Sequence, residues 1–413
     1  MGNPSSLMEI NYEVESMPGG ILGEDVDTVA TYKLHLREPV DTSGLEQKKI
    51  APGTVSPYRG EPGDWILGTF EPTFKTKLAL PGHGSTTAGA ITITALETLL
   101  GLVFGNAVTT ATGSTLTGGT ANAPTTTDSG TLDPGDLCFI GALGDGDGEG
   151  QCYPIATHAT TTLTLLVDMQ GAPANGAVRY GGTTIYPHSD ATNSNYTGIR
   201  MTIASANTQY LVHGCFPTAV AISGLNPGEV PMIDITWKGA WFEYKASTFP
   251  STVSSDTFNP AATAAGSLVV NTVGTSTNSS STRRAYRDLS IEIDLGTIEC
   301  RGPGGFNAYQ DIVGAKRGQD SCKVSWSEYA EATTTTPELP SFGTATNRKH
   351  AMLTLSVNNG SRVAFYFPSL RVMNVPRQIS INGINGYKIE CMAGVGPTTT
   401  SALTLSKWRM HLA

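Results

Sequence analysis

Apolar and polar residues alternate with a period of two along most of this chain, the spacing of a strand buried on one face. In "EINYEVES" the alternation puts Ile10, Tyr12 and Val14 on one side and Glu9, Asn11, Glu13 and Glu15 on the other. "TYKLHLR" sets Tyr32, Leu34 and Leu36 against Lys33, His35 and Arg37. Ile233, Ile235 and Trp237 alternate with Asp234, Thr236 and Lys238. Leu289, Ile291, Ile293 and Leu295 alternate with Ser290, Glu292 and Asp294. "CKVSW" and "LTLSVN" repeat the pattern, and Gly, Pro and Asn punctuate the runs in "LNPGE", "VNNGS" and "INGING". The pattern predicts antiparallel sheets with apolar residues inward and polar residues outward.

One stretch breaks the period. Leu96, Leu99, Leu100, Val103 and Phe104 fall on a single helical stripe and predict a helix over about 91–104, stopped by Gly105 and Asn106. A second helix candidate spans 306–318. Residues 107–184 also stand apart: a Thr/Gly-rich linker, "AVTTATGSTLTGGTANAPTTTDSG", precedes "LCFIGAL", "QCYPIATH", "TLTLLVDM" and "AVRYGG". Four or five short strands around small turns describe a small SH3-like barrel inserted into a larger domain. Two further stretches, 251–284 and 331–350, are rich in small polar residues and read as long loops. The expected organisation is 1–106 and 185–413 as two parts of one mainly β domain, with 107–184 between them.

Composition supports strands and turns: of 413 residues 47 are Gly, and only 15% are charged. The net charge of −9 opposes binding to nucleic-acid phosphate. Six cysteines (Cys138, Cys152, Cys215, Cys300, Cys322 and Cys391) form no C-x-x-C and mostly sit in apolar runs, as small core residues of a protein from a reducing compartment do. The segment "MGNPSSLMEINYEVES" has neither the basic nor the apolar region of a signal peptide, and no apolar run is long enough to span a membrane.

The residues carry little chemistry. Asp145, Asp147 and Glu149 alternate with glycines in "ALGDGDGEGQCY" and are the one metal candidate. An EF-hand loop starting at Asp145 would need a bidentate Glu at its twelfth position, where Ala156 stands, so a solvated hairpin tip is the simpler account. Seven scattered histidines make no H-x-x-H or H-E-x-x-H, and no G-x-S-x-G or P-loop occurs. His213 and Cys215 share a strand face and read as a packed strand end. The expectation is a protein without catalytic residues or cofactor.

Three stretches carry a resemblance. They are "EPTFKTKLALPGHG" with the helix "ALETLLGLVFG"; "GCFPTAVAISGLNPGEVPMIDITWKGAWFEY"; and "SRVAFYFPSLRVMNVPRQISINGINGYKIECMAG". In pattern and order the chain resembles the major tail tube proteins of long-tailed bacteriophages, over roughly 65–100, 196–245 and 285–413. The resemblance implies two packed antiparallel sheets in a tail-tube-type sandwich with one flanking helix. It implies rings of six copies, stacked into a tube through which the genome passes into the host. Implied partners are further copies of the chain, the tail terminator, tape measure and distal tail proteins, and viral DNA that slides without specific binding; no membrane is implied. The implied location is the virion tail, after assembly in the host cytoplasm. Acids on strand faces would repel DNA, and the lumen candidates are Glu9, Glu13, Glu15, Asp234, Glu292 and Asp294. Two alternatives stand beside this: another tail or baseplate structural protein, or a secreted carbohydrate-binding β protein, which the sequons at Asn195, Asn278 and Asn359 would suit.

Overall fold

The computed structural model describes residues 8–16, 21–23, 31–50, 66–82, 93–105, 113–128, 132–141, 151–187 without 170, 174 and 177, 194–246 without 206 and 207, 254–255, 261–272, 283–329 without 304, 306, 308 and 309, 348–357, 361–396 without 375 and 376, and 406–413. These residues form 28 strands and one helix, so the chain is mainly β, with large antiparallel sheets and a closed barrel.

Two sheets share one strand, Thr208–Ser223. Its first half pairs with Ile199–Ser205 on one side and Trp241–Ala246 on the other, and through the former reaches Met8–Val14 and Tyr32–Leu34. Its second half pairs with Met232–Lys238 and Tyr286–Asp294. The strand changes sheets around Gly214, whose φ of 61° is open to glycine at little cost. A Cβ there would lie 2.8 Å from that of Ala240. A register shift between Pro217 and Ala219 follows, so "CFP" lies inside one continuous strand, where the ladder does without the proline N–H. The second sheet runs on through Ser321–Tyr329, Ile384–Gly394, Arg362–Val372 and Lys349–Val357 to Thr263–Thr272.

The helix, Thr94–Phe104, closes one side of the core. All five stripe residues are buried. Phe104 meets Trp408 edge to face at 4.6 Å, and Tyr12 donates its hydroxyl to the Ala95 carbonyl at 2.6 Å. Gly105 is left-handed, and the half-buried Arg317 guanidinium donates to the last-turn carbonyls of Leu102 (2.6 Å) and Val103 (2.9 Å). That cation satisfies orphan acceptors and opposes the negative end of the helix dipole.

Three expectations change. The helix candidate at 306–318 holds instead the strand Ile312–Lys316, hairpinned on Ile298–Arg301. Ile312 and Ala315 are buried beside Leu22, Tyr196 and Phe216, and this packing outweighs the local spacing. The 251–284 stretch contains the ten-residue strand Thr263–Thr272, whose Leu268 and Val269 are buried on opposite faces. The remainder of 331–350 up to residue 347 and the acidic loop with Asp145, Asp147 and Glu149 lie outside the described residues.

The third change concerns the barrel. It closes with six strands, in the order Thr162–Leu165, Pro124–Thr126, Ser114–Gly119, Val178–Tyr180, Leu137–Ile140 and Gln151–Ala159. Two of them come from the Thr/Gly "linker": threonine favours the pleated surface, and Leu116 and Thr126 supply the buried positions. The barrel has its own core of Leu116, Cys138, Ile140, Tyr153, Ile155, Leu163 and neighbours. A second apolar cluster joins barrel to body, with Leu137, Phe139, Cys152 and Val167 against Val269, Met352, Ala364 and Tyr366. Arg362 lies 3.5 Å from the ring centre of Tyr180 and 4.7 Å from that of Phe139. Backbone donors cross the same junction, from Leu137 to Thr184 Oγ1 at 3.0 Å and from Cys152 to Thr354 Oγ1 at 3.2 Å.

A buried carboxyl sits where the chain enters this junction. Asp136 is 3% exposed, its Oδ2 accepts from the Asp133 amide at 3.0 Å, and Arg409 donates to the adjacent Gly135 carbonyl. Burial pushes the Asp136 carboxyl up to about 6 from its ordinary 3.8, with Arg409 pulling the other way. The folded state thus holds this proton to higher pH than the unfolded chain, and charging Asp136 costs stability as pH rises from about 4 through 6. Asp136→Asn is expected to be more stable than the parent by an amount that grows across that window, to on the order of 2–3 kcal/mol above pH 7. Melting curves of both proteins between pH 4 and 8 check this, and a difference independent of pH would contradict it.

Candidate functional site

The pairing registers bring three of the six lumen candidates onto one sheet face. Lys77, Asp234, Ala221, Glu292, Lys323 and Met392 are successive cross-strand partners, forming a row across six strands. Lys75, Thr236, Ala219, Asp294 and Ser321 form the next row. Between these positions Ile233, Ile235, Val220, Ile222, Ile291, Ile293, Cys322 and Val324 point the other way into the core. The alternation that marks these strands in the sequence thus builds a wide polar surface.

Its electrostatics are mixed. Lys77 donates to Glu38 at 2.7 Å, which raises the lysine above its ordinary range. Asp234 is half-buried opposite Lys77, and burial lifts its carboxyl while the lysine opposes the shift. Glu292 faces Lys323, which itself lies 3.5 Å from Glu390. Asp294 is exposed and accepts from the Gly296 amide at 2.9 Å, fixing the turn that ends its strand. Acids on this face therefore alternate with lysines, each sign screening the other.

The other three candidates lie on the first sheet and are engaged there. Glu9 pairs with Lys33 at 2.9 Å. Glu13 accepts from the guanidinium of its cross-strand partner Arg200 and from Thr31 at 2.7 Å. Glu15 is 3% exposed, so it cannot line an open channel. The expected outward face of "EINYEVES" is in fact partly covered: Asn11 and Glu15 are buried, and Glu9 and Glu13 are half-buried. Where such a strand is covered on both faces it keeps polar residues only if they find partners.

Those partners form a cluster that the sequence spacing missed. Glu15 Oε2 accepts from the Gly23 amide at 2.9 Å and Oε1 from the Gly214 amide at 2.8 Å. His213 stacks flat on Trp241, with ring centres 3.9 Å apart. Its ring nitrogens lie 4.0 Å from Glu15 and 3.8 Å from Glu243. Cys215 donates to the Val212 carbonyl, and burial holds its thiol well above the ordinary range, so it is no nucleophile. All six cysteines are free thiols and five are buried.

Among the described residues no three His, Cys, Asp or Glu side chains come together as a metal site. No described helix is long and apolar enough to cross a membrane. No protein-family model matches the chain, and no curated protein matches it.

Proposed function

We propose that this chain is a structural subunit that assembles with copies of itself into rings, stacked as the tube of a bacteriophage tail through which the genome leaves. The observation that carries the reading is the open-edged sheet. Among the described residues Trp241–Ala246 pairs only with Thr208–His213, and Arg377–Ile381 only with 384–388. Neither strand contains proline, and Tyr244 is 59% exposed on the first of them. Monomeric β proteins blunt such edges, whereas subunits that join sheet to sheet keep them available.

In this reading the face bearing Asp234, Glu292 and Asp294 lines the lumen. Around Asp234, Glu292 and Asp294 lysines and acids stand side by side and give DNA phosphates no purely cationic surface to bind, and the net charge of −9 per copy disfavours retention. The tail terminator, tape measure and distal tail proteins would be the partners at the ends and within the tube. The test is negative-stain electron microscopy of purified protein over a concentration series. Hollow tubes or stacked rings are expected, and monodisperse monomers throughout would overturn the proposal.

A further inference from the structure

Resting on that reading, we infer that one end of the lumen face, around the hairpin 377–388, touches the phosphate backbone of the passing DNA. Two cross-strand rows carry the cations of this end. In the first, Arg287 is opposite Ser327, Ser327 opposite Lys388, and Lys388 opposite Arg377. In the second, Lys323 is opposite both Glu292 and Met392, and Met392 is opposite Arg371. The second row continues to Asp234 and Lys77, so all five cations share the face assigned to the lumen. Arg287, Arg371, Arg377 and Lys388 are exposed, and Lys323 is half-buried.

Acids are fewer here. Glu390, between the rows, lies 3.5 Å from Lys323 and 3.6 Å from Lys388, and accepts from the Asn374 side-chain amide at 3.4 Å. Glu292 faces Lys323, and Asp288 is exposed in the bulge beside Arg287. Arg287 donates to the Tyr329 hydroxyl at 3.3 Å, and among the described residues no acid pairs with Arg371 or Arg377. Arg377 and Lys388 are direct cross-strand neighbours of like charge, which costs a sheet stability until an anion lies over the pair. The first row spans three inter-strand steps, about 14 Å, and the two rows lie four residues apart, about 13 Å. Along 14 Å of its axis duplex DNA presents about eight phosphate charges, and an arginine fork takes two oxygens of a phosphate at once. The net charge of −9 does not oppose so local a contact, because at about 0.1 M salt charges more than about 10 Å away are largely screened. The end with Asp234 and Asp294 stays mixed, so each copy offers DNA one short cationic sector and no continuous grip.

Fluorescence anisotropy of a short labelled DNA duplex with the full-length protein, from about 50 to 200 mM salt, tests the contact, while electron microscopy of the same samples reports assembly. The logarithm of the parent's affinity should fall with the logarithm of salt concentration at a slope of about −2 to −4, whatever the duplex sequence. Arg377→Ala with Lys388→Ala should weaken binding about tenfold and make the slope shallower by about 2, and Arg371→Ala by about 1. The alanine pair should keep or raise the melting temperature, because it relieves a repulsion; a merely structural role would lower it and leave the slope unchanged. Lys33→Ala, which removes the partner of Glu9 on the other sheet, should alter neither affinity nor slope. Tubes from a parent without salt-dependent duplex binding, or variants that keep the parent's slope, would overturn the contact and leave the assembly reading standing. Duplex binding that the variants lose, in a chain that never assembles, would support the contact and overturn the ring. A parent that binds anionic phospholipid vesicles but not duplex would overturn the assignment to DNA.

Discussion

Excising the barrel, residues 114–180, is expected to make the chain aggregate. The sheet formed by Thr263–Thr272, Lys349–Val357 and Arg362–Val372 is apolar on both faces. Leu268, Leu353, Leu355 and Phe365 fill the main core, while Val269, Met352, Ala364 and Tyr366 face the barrel. Each of the larger side chains in the second set represents roughly 1.5–3 kcal/mol of burial that excision forfeits. The exposed surface would be a contiguous apolar patch flanked by Arg362, which would lose its contacts with Phe139 and Tyr180. A cut at 131–183 would be worse, because it also strands Ser114–Gly119 and Pro124–Thr126 without the partners that close the barrel. Size-exclusion chromatography with a hydrophobic dye would show the change. Adding Val269→Thr and Met352→Gln to the excised chain should recover soluble protein, if exposure of this patch is the cause. An excised chain with unchanged solubility and melting temperature would show that the junction contributes little.

The insert shows how far periodicity carries. Its existence and β character are legible from the runs around Cys138, Tyr153 and Leu163, because each strand buries alternate residues in its own small core. The first two barrel strands are not legible, since a Thr/Gly stretch satisfies linker and strand equally until Leu116 finds a core to enter. Docking is equally hidden: Leu137 and Phe139 interleave with Cys138 and Ile140, and all four are buried. A strand apolar on both faces announces burial on both sides without saying by what. For the polar face the sequence marks Asp234, Glu292 and Asp294 as outward. Only the registers supply the facing lysines, Lys77 from a strand far upstream of its partner Asp234 and Lys323 from the next strand after the hairpin. On the N-terminal strand the same alternation misleads, because outward from one sheet proves to be inward to the segments around Gly23 and Gly214.

Glu15 is where that failure has the largest expected consequence. Its two carboxylate oxygens hold amides 8 and 199 residues away, and its own amide donates to the Gly198 carbonyl at 2.9 Å. Gly198 leaves room for the carboxylate, since a Cβ there would lie 2.4 Å from Oε2. One side chain thus ties the end of the first strand to the bend at which Thr208–Ser223 passes between sheets. Glu15→Ala would leave two buried N–H groups without these acceptors and open a cavity beside His213, a combined loss of about 3–5 kcal/mol. Glu15→Gln keeps the shape and one acceptor but turns an NH2 toward an amide donor, which should cost about 1–3 kcal/mol. Urea denaturation of the parent and both variants would measure this, with equal slopes confirming that the same surface unfolds. The ordering parent, Gln, Ala in decreasing stability is the signature of a carboxylate acting as a backbone acceptor. If alanine cost less than about 1 kcal/mol, the amides of Gly23 and Gly214 would have to find other partners, and the bend would not depend on this residue.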